Sequence, residues 1–345
     1  MYANAQSSGS IITGGVSDGA NAVDGNPKTY STITTGLGLL GIGTTWQNIN
    51  FDQVVPAGTP VTIKLGKEYS LLSVASGLSV VGLDANGNDI GTLKSVQGGL
   101  LDLLVADNVV EFTFVPASGS GPKAYKGVRV VQGALLSLAQ NAKVYHAYYT
   151  KTGAVDCAPI DNQTNSNILD VLYGVQDIGV GVASATASVI DPWLAVDNDL
   201  NTAAQISRGA AVLNVANLTP VFKSQTMPTD SLRIIIEDSG NALLNLSLLS
   251  GFEIQRYLGT AKVGPALDNN ADILKLKLLS FSANKKKLMM APFDQPFDRV
   301  QISYGDVVNV NLGNQIKVYD ISIIPTIDYG NTPGTTPVSY THLRA

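Results

Sequence analysis

The sequence predicts an all-β protein built from two tandem antiparallel β-sandwiches of the jelly-roll type. Only four of the 27 acidic residues are Glu. Because Glu favours helices whereas Asp favours turns and caps, this balance predicts strands and turns. Short segments also alternate apolar and polar residues, as strands with one buried face do. A repeat at a spacing of about 173 residues predicts that the sandwich occurs twice.

Three segments show the strand alternation clearly, and they are 61–65 (VTIKL), 274–278 (LKLKL) and 300–304 (VQISY). In each of them one sheet face is expected to be buried and the other to contact water. Segment 84–89 (DANGND) separates two such runs and contains Asn-Gly, which is a strong signal for a hairpin turn.

The internal repeat rests on four matches that occur in the same order along the chain. The matching segments are 22–29 with 195–202, 76–78 with 250–252, 125–130 with 297–302, and 143–145 with 317–319. Their spacing stays between 172 and 174 residues. Each copy is as long as a whole domain, which indicates a tandem of domains and excludes a solenoid of short units.

These matches define the expected domain limits. The first sandwich is predicted at 1–151, a linker at 152–181, the second sandwich at 182–327, and a spacer with a non-native tail at 328–345. Within the linker, the sequence does not decide whether 168–173 docks as a short helix or as a strand. Ala3-Asn4-Ala5 has the small-x-small form of a signal-peptidase site, as the trace of a removed signal or by chance.

Composition argues against several function classes. The net charge of −5 and a pI near 5.0 argue against a nucleic-acid partner, which needs clustered Lys and Arg. No apolar run reaches the roughly 18–20 residues that a transmembrane helix needs. With a single Cys (Cys157) and His146 as the one His outside the tail, neither a zinc site nor a catalytic triad can be assembled. We therefore expect a protein that is not an enzyme.

Segment 22–30 (AVDGNPKTY) resembles the A-x-D-G-(N/D)-x-x-T-x-(W/Y) motif of galactose-binding-like β-sandwiches, the discoidin or coagulation-factor type C superfamily. That superfamily includes several carbohydrate-binding modules. Segments 125–130 and 297–302 are similar to its aromatic-x-x-V-R-(I/V) strand. The resemblance covers most of both copies and implies the jelly-roll sandwich fold.

The resemblance also implies a structural Ca²⁺ held by a carboxylate, backbone carbonyls and a Thr oxygen, a hard donor set that suits this ion. The candidate ligands carried over are Asp24, Asn26 and Thr29 in the first copy and Asp197, Asp199 and Thr202 in the second. Asp320 stands where the family often has a final-strand Glu, whereas the first copy has His146 there. The alternative is that each Asp only closes a turn by accepting backbone N–H groups.

The glycine-rich segment 34–43 and the Tyr148-Tyr149 pair are similar to repeat modules in large secreted surface proteins of gliding Bacteroidota. This implies an extracellular or cell-surface location and a non-catalytic adhesion or carbohydrate-binding module. Its partner is then a glycan or a neighbouring domain. The aromatic candidates for stacking on a sugar are Tyr30, Trp46 and Trp193, which are equally consistent with core positions. The alternative functions are a structural spacer and an accessory module of a secreted glycoside hydrolase.

Overall fold

A computed structural model describes most of the chain. The described residues are 1–36, 43–66, 77–96, 104–105, 109–133, 141–150, 167–177, 187–207, 214–228, 230–238, 251–267, 277–280, 286–290, 293–305 and 315–324. Within these residues, no helix is long and apolar enough to cross a membrane.

The N-terminal half forms a sandwich of two antiparallel sheets. Its strands are β1 (Ala5–Ile11), β2 (Gly14–Ser17), β3 (Ser31–Thr35), β4 (Thr44–Val55), β5 (Val61–Gly66), β6 (Leu78–Leu83), β7 (Asp89–Ser95), β8 (Leu104–Val105), β9 (Val109–Phe114), β10 (Ala117–Ser118), β11 (Gly121–Pro122), β12 (Tyr125–Gly133) and β13 (Asn141–Tyr148). One sheet has the order β1-β4-β12-β6-β7 and the other β2-β3-β13-β5-β9-β8, while β10 and β11 pair separately. A 3₁₀ helix at Gly19–Val23 connects β2 to β3.

The C-terminal half repeats this arrangement. Its strands are β14 (Ile168–Asp177), β15 (Ser188–Ile190), β16 (Ala204–Ser207), β17 (Asn214–Phe222), β18 (Ser231–Asp238), β19 (Phe252–Leu258), β20 (Ala261–Leu267), β21 (Lys277–Ser280), β22 (Lys286–Met290), β23 (Arg299–Gly305) and β24 (Gln315–Ile324). The sheet orders are β14-β17-β23-β19-β20 and β15-β16-β24-β18-β22-β21. A 3₁₀ helix at Pro192–Ala195 lies between β15 and β16.

The predicted all-β class and the two antiparallel sandwiches are therefore confirmed. The five- and six-stranded sheets of the second half have the strand order of those of the first, and each half encloses its own apolar core. Segment 84–89 closes the β6–β7 hairpin, where the Asp84 carboxylate accepts backbone N–H groups of Asn86 and Asn88 at 2.8 Å each. The alternation predicted at 300–304 is present in β23, whereas most of 274–278 lies outside the described residues.

The prediction that one face of segment 61–65 contacts water is wrong, because β5 is buried on both faces. Thr62 and Lys64 were expected to contact water but are only 3% and 6% exposed. The second sandwich covers this face of the sheet, as shown by the contact between Lys64 and Asp170 of β14. The polar face of β5 is thus an internal surface between the two sandwiches.

Strand β14 lies inside the predicted linker 152–181 and includes 168–173, for which the sequence allows a short docked helix or strand. It pairs with β17 over nearly its whole length, so residues 168–177 belong to the second sandwich and not to a linker. A register shift between Ile168 and Asp170 changes which side chains face outward there. As a result Val171 joins the core of the second sandwich, while Leu169 and Leu172 face the first. The remaining domain limits stay a prediction.

The junction between the sandwiches has an apolar cluster of its own. Its buried members are Val109, Tyr148, Leu169, Leu172, Val221 and Tyr257, with Tyr2 and Tyr145 packed against them. The Tyr2 hydroxyl donates a hydrogen bond across the junction to the Leu169 carbonyl. We use the name junction for this apolar cluster together with the polar contacts between the two sandwiches.

Candidate functional site

The two repeated Asp loops have the same hydrogen bonds. Asp24 Oδ1 accepts the Asn26 N–H at 2.8 Å, and Asp24 Oδ2 accepts the Thr29 hydroxyl at 2.8 Å. In the second loop Asp197 Oδ1 accepts the Asp199 N–H at 2.9 Å and Oδ2 accepts the Thr202 hydroxyl at 2.6 Å. Each Asp therefore closes its own turn, in the manner of the alternative raised by the sequence.

Backbone geometry explains how the second loop forms without the glycine of the first loop. Gly25 has φ +75°, and the residue 173 positions later, Asn198, has φ +64°. Asn is among the few residues that enter this left-handed region readily, since its short polar side chain can bond locally. The exchange of Gly for Asn therefore preserves the loop.

The predicted calcium ligands do not form a cluster of carboxylates. Within the described ranges, no three His, Cys, Asp or Glu side chains are grouped so that they could hold a metal ion. Asp320, the predicted final-strand ligand, is 1% exposed and accepts hydrogen bonds from Arg233 Nε and Ser322 Oγ, both at 2.8 Å. Calcium binding by the two loops stays a prediction.

A cleft of about 660 Å³ opens beside the junction and is lined by both sandwiches. This volume lies in the range of about 300–1,000 Å³ that is usual for small-ligand sites. We call it the junction cleft. Its lining residues are Pro27, Lys28, Lys64, Val109, Tyr145, Asp170, Val171, Tyr173, Asp191, Pro192, Trp193 and Leu194.

The aromatic wall of the junction cleft includes Trp193, which belongs to the 3₁₀ helix of the second sandwich. Asp191 precedes this helix with φ +50°, and Pro192 occupies its start. The first sandwich has Asp18 in the same conformation, with φ +53°, but Ala20 at the position equivalent to Trp193. Because the same local fold forms with Ala, the indole is not required for the loop.

Tyr145 enters the junction cleft because of a β-bulge in β13. The register with β5 shifts between Val144 and His146, which leaves Tyr145 as an extra residue. Such bulges redirect side chains. The second sandwich has the same shift between β18 and β24, and there the extra residue is Tyr319. In the first sandwich the bulge also turns His146 and Tyr148 inward toward the junction, where they are 3% and 0% exposed.

An ion pair between the two sandwiches lies beside this aromatic wall. Lys64 Nζ is 2.8 Å from Asp170 Oδ2, and the two side chains are 8% and 0% exposed. His146 Nε2 lies 3.3 Å from the same carboxylate oxygen. Burial favours the neutral acid, but the Lys64 charge and the contacts with His146 outweigh it, so the pKa of the Asp170 carboxyl is lowered. Asp170 therefore remains ionised at neutral pH.

Two lysines of the junction cleft lie over aromatic rings that also line it. Lys28 Nζ, from the first Asp loop, lies 5.0 Å from the centroid of the Trp193 ring. Lys64 Nζ lies 5.4 Å from the centroid of the Tyr145 ring. Cations at such distances are attracted to the faces of aromatic rings. With two Lys and two Asp among its lining residues, the junction cleft has no large net charge.

The three aromatic residues predicted for ligand binding occupy different places. Trp193 lines the junction cleft, and Tyr30 contacts its wall, with a centroid distance of 5.2 Å to Tyr145. Trp46 is on β4 opposite Gly9 of β1, and a Cβ on Gly9 would lie 2.4 Å from its Cζ2. Trp46 therefore covers the glycine of a neighbouring strand and does not line the junction cleft.

Sequence patterns do not point to several of the lining residues, above all Lys64, Tyr145, Asp170 and Tyr173. Segment 143–145 belongs to the repeat, and 61–65 has the alternation of a strand. Neither pattern indicates which residues of the other sandwich lie opposite. Comparison of the two copies does offer a signal for Trp193, because Ala20 occupies its position in the first copy.

Comparisons with known proteins give similarities in fold at low identity. No protein-family model and no curated protein matches the chain. A fucolectin from striped bass (Morone saxatilis) serum is 11% identical with a TM-score of 0.26, covering 94% of this chain and 98% of that one. The CBM32-1 and CBM32-2 domains of Clostridium perfringens ZmpB are 10% identical with a TM-score of 0.27, covering 93% and 92%. Allantoicase from Saccharomyces cerevisiae is 8% identical with a TM-score of 0.25, covering 81% and 76%. Similarity at this level does not identify a family or a ligand.

Proposed function

We propose that the protein is a non-catalytic carbohydrate-binding module of the galactose-binding-like type, and that its glycan site is the junction cleft. The observation that supports this most is the position of Trp193. The ring is partly exposed, lines the junction cleft and has no counterpart in the equivalent loop of the first sandwich. Sugar rings present C–H groups that stack on such aromatic faces, while their hydroxyl groups bond to nearby polar side chains.

The polar groups of the junction cleft fit a largely uncharged glycan. Lys28 can donate hydrogen bonds to sugar hydroxyls, and Asp191 can accept them. Asp191 is exposed and directly precedes the helix that carries Trp193. Because the lining charges balance, the site gives no general preference for anionic ligands.

Trp193→Ala is expected to weaken binding more than about tenfold for any glycan that the protein retains on an array, which corresponds to about 1.4 kcal/mol. The affinities are measured by titration calorimetry. Trp46→Ala is the matched control, since it removes the other Trp of the chain from a position outside the junction cleft, and it should bind like the wild type. Equal affinity of Trp193→Ala and the wild type would rule out this site.

A second candidate function is a rigid spacer within a longer secreted or surface protein. The buried contacts across the junction favour it, because they resist bending between the sandwiches. A folded wild-type protein that retains no glycan would favour the spacer. The extracellular location, on the resemblance of segment 34–43 and the Tyr148-Tyr149 pair to surface modules, belongs to the proposal in either case.

Calcium in the Asp loops is a separate proposal with its own test. A bound ion must raise the melting temperature, because a ligand of the native state stabilises it. If calcium binds, the melting temperature rises on its addition and falls with chelator, and Asp24→Asn together with Asp197→Asn removes the effect. If neither calcium nor chelator changes the melting temperature, the loops bind no calcium and are turns closed by hydrogen bonds alone.

A further inference from the structure

The outer edge of strand β1 has no partner strand among the described residues. β1 (Ala5–Ile11) ends its five-stranded sheet and pairs only with β4, over seven residues without a register shift. Six of its seven residues are exposed. A straight, exposed edge of this length offers backbone N–H and C=O groups to another strand.

The other long edge strands carry the features that discourage such pairing. β7, at the opposite edge of the same sheet, contains Asp89 and Lys94 and has a register shift against β6. β20, at the edge of the corresponding sheet in the second sandwich, contains Lys262 and Pro265 and also has a register shift. Charges, proline and bulges are the usual protections of sheet edges. β1 has none of the three, and the first charged side chain of the sequence is Asp18.

The end of β1 exposes apolar side chains in a strained turn. Ile11 and Ile12 are 55% and 60% exposed. Ile12 has φ +77°, which is rare for a β-branched residue because its Cβ crowds the backbone. Strain of this kind persists where the surrounding structure or a function maintains it. Here it holds an isoleucine in solvent directly beside the open edge.

We propose that β1 is an association edge through which two copies of this chain pair as antiparallel strands. A two-fold axis at Ser8, the central residue, sets Ala5 against Ile11 of the second copy and Gln6 against Ser10. No like charges meet in this arrangement, since the strand contains none. The resulting contact is the same on both copies, as in most homodimers. It joins two five-stranded sheets into one continuous sheet.

Disulfide trapping tests both the pairing and its register. The experiment uses the full chain with Cys157→Ser, so that the introduced thiol is the only one. Ser8→Cys places two thiols opposite each other at the axis, with Cα atoms about 4.5–5.5 Å apart, which suits a disulfide. Ser10→Cys is the control on the same face of the same strand, and its Cα atoms would be about 14 Å apart, four residues along the strand.

Under mild oxidation we expect Ser8→Cys to give a disulfide-linked dimer and Ser10→Cys to remain monomeric on a non-reducing gel. Equal crosslinking, or none in either variant, would overturn the proposal. Sedimentation gives an independent readout without cysteines. Ser8→Lys should weaken association more than about tenfold, whereas Leu93→Lys on β7 should associate like the wild type. A wild-type protein that stays monomeric at millimolar concentration would show that β1 does not pair with itself.

Discussion

Arg299→Met is expected to lower the free energy of unfolding by about 3–5 kcal/mol, because it leaves a buried carboxylate without its cation. Arg299 and Glu111 are both 0% exposed and form an ion pair between the second and the first sandwich. Arg299 Nε also lies 3.1 Å from Asp298 Oδ1. Burial alone would lower the pKa of the Arg299 guanidinium, but Tyr148, Asp298 and Glu111 raise it well above its ordinary value. The charge is therefore fixed at every pH at which the protein folds.

The neighbours of this pair explain why its loss should be costly. Tyr148 donates a hydrogen bond to Glu111 Oε1 at 2.5 Å, and burial raises the pKa of its phenol well above 10, so the donor proton stays in place. Asp298 accepts the Thr150 hydroxyl at 3.0 Å and the Gly259 N–H at 2.9 Å. The network joins two carboxylates and one guanidinium, whose Nη2 is buried without a hydrogen-bond partner among the described residues. Removing the cation leaves both acids in an environment that excludes water.

The measurement is urea unfolding, and the matched control is Arg129→Met. Arg129 also pairs with a carboxylate, that of Asp89 at 2.5 Å, but the two side chains are 25% and 39% exposed. Such surface pairs contribute about 0–1 kcal/mol. The double variant Arg299→Met with Glu111→Leu removes both main charges and should regain part of the loss. If Arg299→Met and Arg129→Met unfold at the same urea concentration, the buried network does not stabilise the junction.

The sandwiches and their turns were predictable because they depend on local signals. The scarcity of Glu, the alternation in 300–304 and the Asn-Gly hairpin each reflect a preference that acts within a few residues. The hydrogen-bond pattern of the Asp loops belongs to the same class, since each loop closes on itself within six residues. For these features the sequence contains the whole physical cause.

The junction was not predictable from such signals. Alternation identifies a polar face of β5 but not what covers it, and Lys64 meets its partner 106 residues away in the chain. Glu111 and Arg299 are separated by 188 residues. A buried ion pair and a solvated surface give the same alternating sequence, so only the packing of one sandwich on the other distinguishes them. The linker assignment was wrong at β14 for the same reason, because this strand is identified by its pairing with β17.

The junction also links the proposed binding site to the fold. The junction cleft takes lining residues from both sandwiches, and the Lys64–Asp170 pair lies both in its wall and between the sandwiches. Neither half alone contains the complete site. The stability of the junction therefore sets the positions of Trp193 and Tyr145 in the junction cleft, and with them the geometry of the proposed site.

Lys64→Met is expected to lower the free energy of unfolding by about 3–5 kcal/mol at pH 7, because Asp170 is left buried without its cation. If the junction cleft binds glycans, affinity should fall as well. Lys64 Nζ also donates to the Pro27 carbonyl at 3.3 Å and so connects the first Asp loop to the second sandwich. Asp170→Asn together with Lys64→Met removes both charges and should regain part of the stability.

The pH dependence of the same variant distinguishes the loss of a charge pair from a loss of packing. In the wild type the pKa of Asp170 is lowered, so its contribution is present above the unfolded pKa of about 3.9 and is lost as the pH falls through the folded value. Without Lys64, only the contacts with His146 still oppose the effect of burial, so we expect this pKa to rise above the unfolded value. The variant then loses stability as the pH rises, the opposite direction to the wild type.

The difference in unfolding free energy between the wild type and Lys64→Met should therefore be largest near pH 7 and shrink toward pH 4. Urea unfolding at several pH values measures it directly. Lys143→Met is a suitable control. Lys143 lies on the same strand as Tyr145, and its Nζ is 4.5 Å from the centroid of the Tyr30 ring, but it forms no ion pair with Asp170. A difference that stays constant from pH 4 to pH 7 would mean that Lys64 stabilises the junction through its hydrocarbon chain and not through its charge.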